Sequence, residues 1–213
     1  MVTKVDRALI HFFIGIQKKL ATNISFVGWN GELRRVLGLD VAYVRDIGIA
    51  AAVLYDRDKG SVLTSNAYKA QVLFPYIPGL LYLREAPLMI AAAEPLKDDF
   101  DLALVDGHGY AHPRRAGLAV IVGVILDRPV VGVAKSLLEG KVQETTTGIS
   151  PILANGEVIG WASGGQPRYY ASVGNKVSHE DVKKIISKLG NDYPAPLKEA
   201  HRLANKIANE IKI

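Results

Sequence analysis

Apolar and polar positions change period several times along the chain, and each change marks an element. Val5, Leu9, Phe12, Phe13, Ile16 and Leu20 recur at i, i+3/i+4 spacing, which predicts an amphipathic helix over about residues 3–21. Val36 to Val44 is apolar apart from Asp40, and Ile47 to Tyr55 is a near-continuous apolar run, as in a buried strand. Asp56 to Gly60 reads as a turn into a third strand over Ser61 to Ala70, so the three strands predict an antiparallel meander. Pro75-Tyr76-Ile77-Pro78-Gly79 must be a loop, because two prolines and a glycine continue neither ladder nor helix. Leu80 to Ala93 is helical in pattern, Leu102 to Val105 is a short buried strand ending at Asp106, and Arg115 to Leu126 has helical length. Val130 to Ala134 is another buried strand. Asn155-Gly156 between two apolar pairs is a hairpin signal, since a type I′ turn needs positive φ twice. A strand over Tyr169 to Val173 and helices over about 179–189 and 195–211 end the chain. A meander followed by alternating helices and strands predicts an α/β fold with a mixed sheet flanked by helices.

Length and composition narrow this picture. The 213 residues suit one domain over 1–213, large enough to bury a core without disulfide staples. The absence of cysteine excludes disulfides, thiolate zinc sites and a cysteine nucleophile. A net charge of +5 fits an anionic partner such as nucleic acid. Lys4 and Arg7 before Ala8 to Ile16 give a faint likeness to a signal peptide, but Lys18 and Lys19 follow at once and no small-residue cleavage site is evident. No run reaches 18 apolar residues, so no membrane partner is expected and the location expected is cytoplasmic.

The candidate chemistry lies where strands break their apolar pattern. Asp40 sits inside one strand and Asp106 ends another, and a buried carboxylate is costly unless paired or bound to a cation. Each alone could cap a turn or meet an arginine. With Glu85 in a third segment they form an acidic set suited to a hard cation such as Mg²⁺. Asp106-Gly107-His108-Gly109-Tyr110-Ala111-His112-Pro113-Arg114-Arg115 follows a strand and leads into a helix, the place where open α/β sheets bind ligands. Gly107 and Gly109 would let a flat ligand approach the backbone, and His112, Arg114 and Arg115 offer donors to phosphate. Lys135 ends a buried strand, where it either reaches a phosphate or snorkels to solvent. Pro75, Tyr76, Ile77 and Pro78 form either a wedge that unstacks bases or a buried loop anchor.

Together these segments resemble the endonuclease V family. The likeness is carried in order by Gly38-Leu39-Asp40-Val41-Ala42-Tyr43, by Pro75 through Arg84-Glu85, by Asp106-Gly107-His108-Gly109 through Arg115, by Gly132-Val133-Ala134-Lys135-Ser136 and by Ser172-Val173-Gly174. The resemblance implies a ribonuclease H-like fold and Mg²⁺-dependent cleavage, with Mn²⁺ as a substitute ion, of single- or double-stranded DNA containing deoxyinosine. The cut implied is at the second phosphodiester bond 3′ to the lesion, leaving a 5′-phosphate and a 3′-hydroxyl. By matching position, Asp40, Asp106 and Glu85 would hold metal with His201 nearby, Lys135 would be the catalytic lysine, and His112 a phosphate-side helper. Tyr76, with Pro75, Ile77 and Pro78, would be the wedge, Gly107, His108 and Gly109 the base pocket, and Arg84 and Arg114 substrate contacts. Two positions depart from the family pattern: Asn175 and Ile121 stand where histidine is usual. Two rivals remain, an endoribonuclease for inosine-containing RNA and an inosine-binding module that does not cut.

Overall fold

A computed structural model describes residues 5–146, 148–166 and 168–211. The meander forms as expected from β1 (Arg35–Val44), β2 (Ile47–Asp56) and β3 (Ser61–Gln71). A crossover through α2 (Tyr82–Ala93) sets β4 (Leu102–Asp106) parallel to β1, and a second through α3 (Leu118–Leu126) sets β5 (Val130–Ala134) parallel to β4. Beyond β5 the sheet turns antiparallel, through β9 (Tyr170–Asn175), β8 (Glu157–Ala162), β7 (Ser150–Ala154) and the two-residue β6 (Lys141–Val142). Among the described residues all nine strands join one sheet, in the order β3-β2-β1-β4-β5-β9-β8-β7-β6. The expected hairpin lies between β7 and β8, with Asn155 at φ 53° and Gly156 at φ 80°, both in the left-handed region a type I′ turn demands. β6 had no sequence signal, because a two-residue strand has no period to read.

Alternation along the central strands divides the core into two layers. Leu37, Leu39, Ala103 and Val105 point to the side covered by α2 and α3. Val36, Leu102, Leu104, Val131 and Val133 point to the opposite side, under α4 (His179–Leu189) and the start of α5 (Ala195–Ile211). The register pairs Leu39 with Val105 and Asp106 with Val133, so Asp40, Asp106 and Lys135 belong by alternation to the α5 side.

α5 lies close on this side because small residues face the sheet. Ala200, Ala204 and Ala208 form an i, i+4, i+8 row against Ala42 and Ala51. Gly38 completes the seat, since a Cβ there would stand 2.1 Å from the Pro196 carbonyl oxygen.

Two helices differ from expectation. The first helix, α1, runs Arg7–Ala21, with Asp6 as its N-cap accepting from Ala8 N–H at 2.7 Å; Thr3 and Lys4 lie outside the described residues. Its buried side coincides only in part with the apolar stripe read from the sequence. Ile10, Ile14, Leu20 and Ala21 pack on the core and Gln17 is buried, while Leu9 and Phe12 face outward. α3 starts at Leu118 rather than Arg115, because Arg115 adopts φ 54° and Gly117 is the extended N-cap residue.

Gly38→Val tests the seating of α5. We expect a loss of about 1–3 kcal/mol in unfolding free energy from overpacking, measured by urea titration. Unchanged stability would mean that α5 does not rest on this glycine.

Candidate active site

The parallel arrangement of β1, β4 and β5 brings their carboxyl-end residues to one edge of the sheet. Asp40, buried at 7% exposure, accepts from its neighbour Val41 N–H at 2.8 Å through Oδ1 and meets His201 Nδ1 at 2.7 Å through Oδ2. Asp106 Oδ2 lies 2.6 Å from Lys135 Nζ. One ligand atom from each of Asp40, Asp106 and His201 lies within 4.8 Å of the others, a spacing that a single divalent ion could bridge. Burial pushes the Asp40 carboxyl above its ordinary pKa, and the charge of Asp106 adds to the shift. Two carboxylates held together against burial and repulsion are a donor set that a hard cation relieves, so these residues fit Mg²⁺ or Mn²⁺.

His201 is presented by α5 and held in place by its own helix. Asn205, one turn on, places its side-chain amide 3.1 Å from His201 Nε2, which leaves Nδ1 facing Asp40. The seat at Gly38 matters here, because it sets how near α5, and so His201, comes to β1.

Glu85 approaches from the other layer, on α2, and stands outside this trio. Its Oε1 accepts from Tyr43 O–H at 3.0 Å. Burial raises its pKa to about 7, the Tyr43 bond opposes that rise, and the charges of Asp40 and Asp106 reinforce it. It therefore lies within electrostatic reach of the trio while engaged by a tyrosine. Lys135 is exposed, and its ammonium also sits 4.8 Å over the Tyr193 ring.

Beside the trio, and joined to it by Asp106-Gly107-His108, is a cavity of about 310 Å³ walled by Gln17, Tyr76, Gly79, His108, His112 and Leu138, among others. Its two histidines are kept neutral. Burial lowers the pKa of His112 to about 4, helped by the charge of Arg114, and burial also lowers that of His108. His108 is hydrogen-bonded to the Ser136 backbone, and His112 Nδ1 accepts from Arg114 N–H at 3.1 Å. His112 thus stands in the cavity wall, where phosphate-side help had been expected.

The other expected site residues divide into those that face the cavity and those that brace it. Tyr76 is 65% exposed at the cavity rim, Pro78 lines it, and Ile77 packs into the core. An exposed residue and an anchored one therefore stand side by side on one loop. Arg84 donates to Phe74 O at 2.7 Å, and Arg114 donates to Gly79 O at 2.6 Å and to Gln17 Oε1 at 2.6 Å, so both arginines hold the loop in place. Gly79 has φ 80°, a turn that glycine takes without strain. Gly107 and Gly109 are engaged by the fold itself. Their N–H groups are taken by Val133 O at 2.9 Å and Ser172 Oγ at 3.0 Å, and a Cβ on Gly109 would stand 2.2 Å from Val173 O. The small size of Gly109 serves the crossing of this loop over β9, whereas a Cβ on Gly107 would stand 3.0 Å from the Leu118 side chain. The two departures from the family pattern are interior. Ile121 is a core residue, and Asn175 links Ser25 N–H at 2.9 Å to Gly123 O at 2.9 Å.

Sequence reading missed Tyr43, Tyr193, Asn205 and Gln17. A tyrosine in a strand or a glutamine in a helix carries no motif of its own, and their roles depend on partners as much as 99 positions away, as for Gln17 with Ala116 O.

Comparison with known proteins gives a consistent result. The Endonuclease V family profile matches residues 18–202. The chain is 42% identical over 206 residues to Endonuclease V of Sulfolobus acidocaldarius, covering 96% of each chain. It is 41% identical over 205 residues to that of Sulfurisphaera tokodaii, again covering 96% of each. The solved Endonuclease V of Streptomyces avermitilis superposes with a TM-score of 0.84 at 32% identity, covering 93% of this chain and 92% of that one. In fold alone, the chain matches Ciona intestinalis Endonuclease V, solved with a 24mer DNA containing an inosine followed by a ribo-adenosine. The TM-score is 0.86 at 24% identity, covering 96% of this chain and 99% of that one. The ribonuclease H-like sheet expected from the sequence is the fold of these neighbours.

Glu85 makes a pH prediction for the metal-free protein. A carboxyl whose folded pKa is raised gives stability that is complete below its ordinary value of 4.5 and lost as pH rises to about 7. Wild-type stability relative to Glu85→Gln should fall across that window and then level off. His112 acts with the opposite sign, losing stability as pH falls from 6.5 to about 4, so the difference between the two proteins isolates Glu85. A flat difference in urea-derived stability would show that the carboxyl is not held protonated.

Proposed function

The chain belongs to the endonuclease V family, and from that premise we propose that it is a Mg²⁺-dependent nuclease for DNA containing deoxyinosine. It would cut the second phosphodiester bond 3′ to the lesion, leaving a 5′-phosphate and a 3′-hydroxyl. The observation that carries the reading is the union of the Asp40–Asp106–His201 trio and a base-sized recess through one short loop, Asp106-Gly107-His108. A site that reads one nucleotide and cuts beside it needs both features at a fixed distance.

The net charge of +5 draws the strand in, with affinity that falls as salt rises. Tyr76, exposed on a loop braced by Arg84 and Arg114, stacks into the gap as the base leaves the helix. The cavity, within the usual 300–1,000 Å³ of ligand clefts, receives it. Its neutral histidines offer fixed polar groups without placing a charge against the base. Hypoxanthine presents a keto oxygen and a protonated N1 where adenine presents an amino group and a bare N1. A site whose polar groups suit the first edge leaves them unpaired against the second.

Asp40, Asp106 and His201, with Glu85 adjoining, would hold Mg²⁺ or Mn²⁺, which would supply Lewis-acid polarisation of the phosphate and lower the pKa of an attacking water. Lys135, steadied by the Tyr193 ring, offers its ammonium to the negative charge that develops on the phosphate oxygens. Tyr43 holds Glu85 beside the trio, and Asn205 orients His201.

A labelled duplex with one deoxyinosine tests this directly. Wild type should give one Mg²⁺-dependent nick 3′ to the lesion, none on plain DNA and none in EDTA. Asp106→Ala should cut at least about a hundredfold more slowly while still binding the lesion strand. Retained cleavage would end the assignment of Asp106 to the metal. Tyr76→Ala should lower the ratio of inosine to adenine cleavage. An unaltered ratio would return Tyr76 to a structural role. The same strand made with inosine-containing RNA decides between the two nucleic acids.

A further inference from the structure

The outward face of α1 is unusual for a packing helix. Phe12 is 60% exposed and Leu9 41%, although Ile10, Ile14 and Ala21 of the same helix face the core. The Phe12 and Phe13 rings are 5.7 Å apart and those of Phe13 and Phe74 5.4 Å apart, so the rings form a ladder from α1 into the loop that carries Tyr76. Leu73, 84% exposed, and Tyr76, 65% exposed, extend the apolar surface beyond Phe74. Contiguous exposed apolar surface of this kind marks an interaction site.

Two further observations point to the occupant. Between Arg7 and Ala21 the helix has no acidic residue, while Arg7, His11, Lys18 and Lys19 are all exposed. Lys19 lies seven positions beyond Phe12, two turns along the same face. The exposed Gly15 lies between them. A glycine inside an exposed helix lowers its stability relative to almost any other residue, and nothing in the packing calls for this one. Among the described residues, a Cβ on Gly15 would meet nothing within 4 Å. A bare patch beside a protruding phenylalanine lets another molecule lie against the helix backbone. Aromatic rings among cations, with access to the backbone, suit the bases and phosphates of an unpaired nucleic-acid strand.

We propose that α1 is a second nucleic-acid surface, on which Phe12 stacks an unpaired base lying beyond the Tyr76 wedge while Lys18 and Lys19 hold its phosphates. The proposal rests on the nuclease reading for its substrate and adds a contact on α1, the helix whose Gln17 borders the cavity. Gln17 links the two regions. It lines the cavity, and its amide donates to Gly79 O at 3.1 Å and to Ala116 O at 2.6 Å.

The test measures binding, without divalent cation, by fluorescence anisotropy on an unmodified single-stranded 24-mer and on the deoxyinosine duplex. Phe12→Ala should weaken both by about tenfold, as expected for the loss of one stacked base. Phe12→Trp should restore binding. Lys18→Ala with Lys19→Ala should reduce the slope of log affinity against log salt by about two. Gly15→Gln is the decisive variant: it should raise Tm, because the helix improves, yet weaken binding, because the backbone is covered. A purely structural role for α1 predicts no loss. On cleavable duplex, Phe12→Ala should raise KM and leave kcat unchanged. Unchanged affinity and salt slope in all these variants would overturn the proposal while leaving the nuclease reading intact. A dimer by sedimentation velocity that Phe12→Ala dissociates, without change in DNA affinity, would assign the face to self-association instead. A wild-type protein that binds the strand through α1 but cuts nothing would overturn the nuclease reading alone.

Discussion

The structure is organised around two carboxylates, Asp40 and Asp106, at neighbouring places on parallel strands. Burial and mutual repulsion both oppose their ionisation, and the groups around them answer those costs. Lys135, at the end of the next parallel strand, sets its ammonium on Asp106. α5, lying close on Gly38 and on its own row of alanines, brings His201 to Asp40. Tyr193 backs the lysine and Asn205 backs the histidine. Without a cation, part of the cost remains as the raised pKa of Asp40 and Glu85. An ensemble that relaxes only when a divalent ion arrives is suited to bind one, since the ion's charge offsets an electrostatic cost already present in the fold.

A second, quieter constraint shapes the cavity. The loop around Gly79 and the residues leading into α3 leave carbonyl oxygens, those of Gly79 and Ala116, that need donors in a buried setting. Gln17 and Arg114 supply them. This explains why α1 buries a glutamine and turns phenylalanine outward: satisfying buried carbonyls outweighs burying one more ring.

Much was legible in the chain itself. Strand period, turn chemistry and the broken apolar runs located the meander, the parallel strands, the hairpin at Asn155-Gly156 and the pairing of Asp40 with Asp106, because each is a short-range signal in residue type and spacing. The resemblance of ordered motifs identified the family, and the comparisons agree. What stayed hidden depends on contacts between distant segments. The face α1 buries was misread in part because the partner of Gln17 lies 99 positions away. Gly107 and Gly109 looked like room for a ligand, yet Gly109 makes room for β9. His112 and Arg114, read as phosphate donors, proved to be placed by contacts the sequence does not show: His112 Nδ1 accepts from Arg114 N–H, and Arg114 donates to Gly79 O. Sequence by itself determined which residue types were available and on which strand ends they would stand, because period and propensity act locally. Only the tertiary structure decided which of them remain free to meet a substrate, because a donor or a charge is free only after every buried partner across the fold has been satisfied.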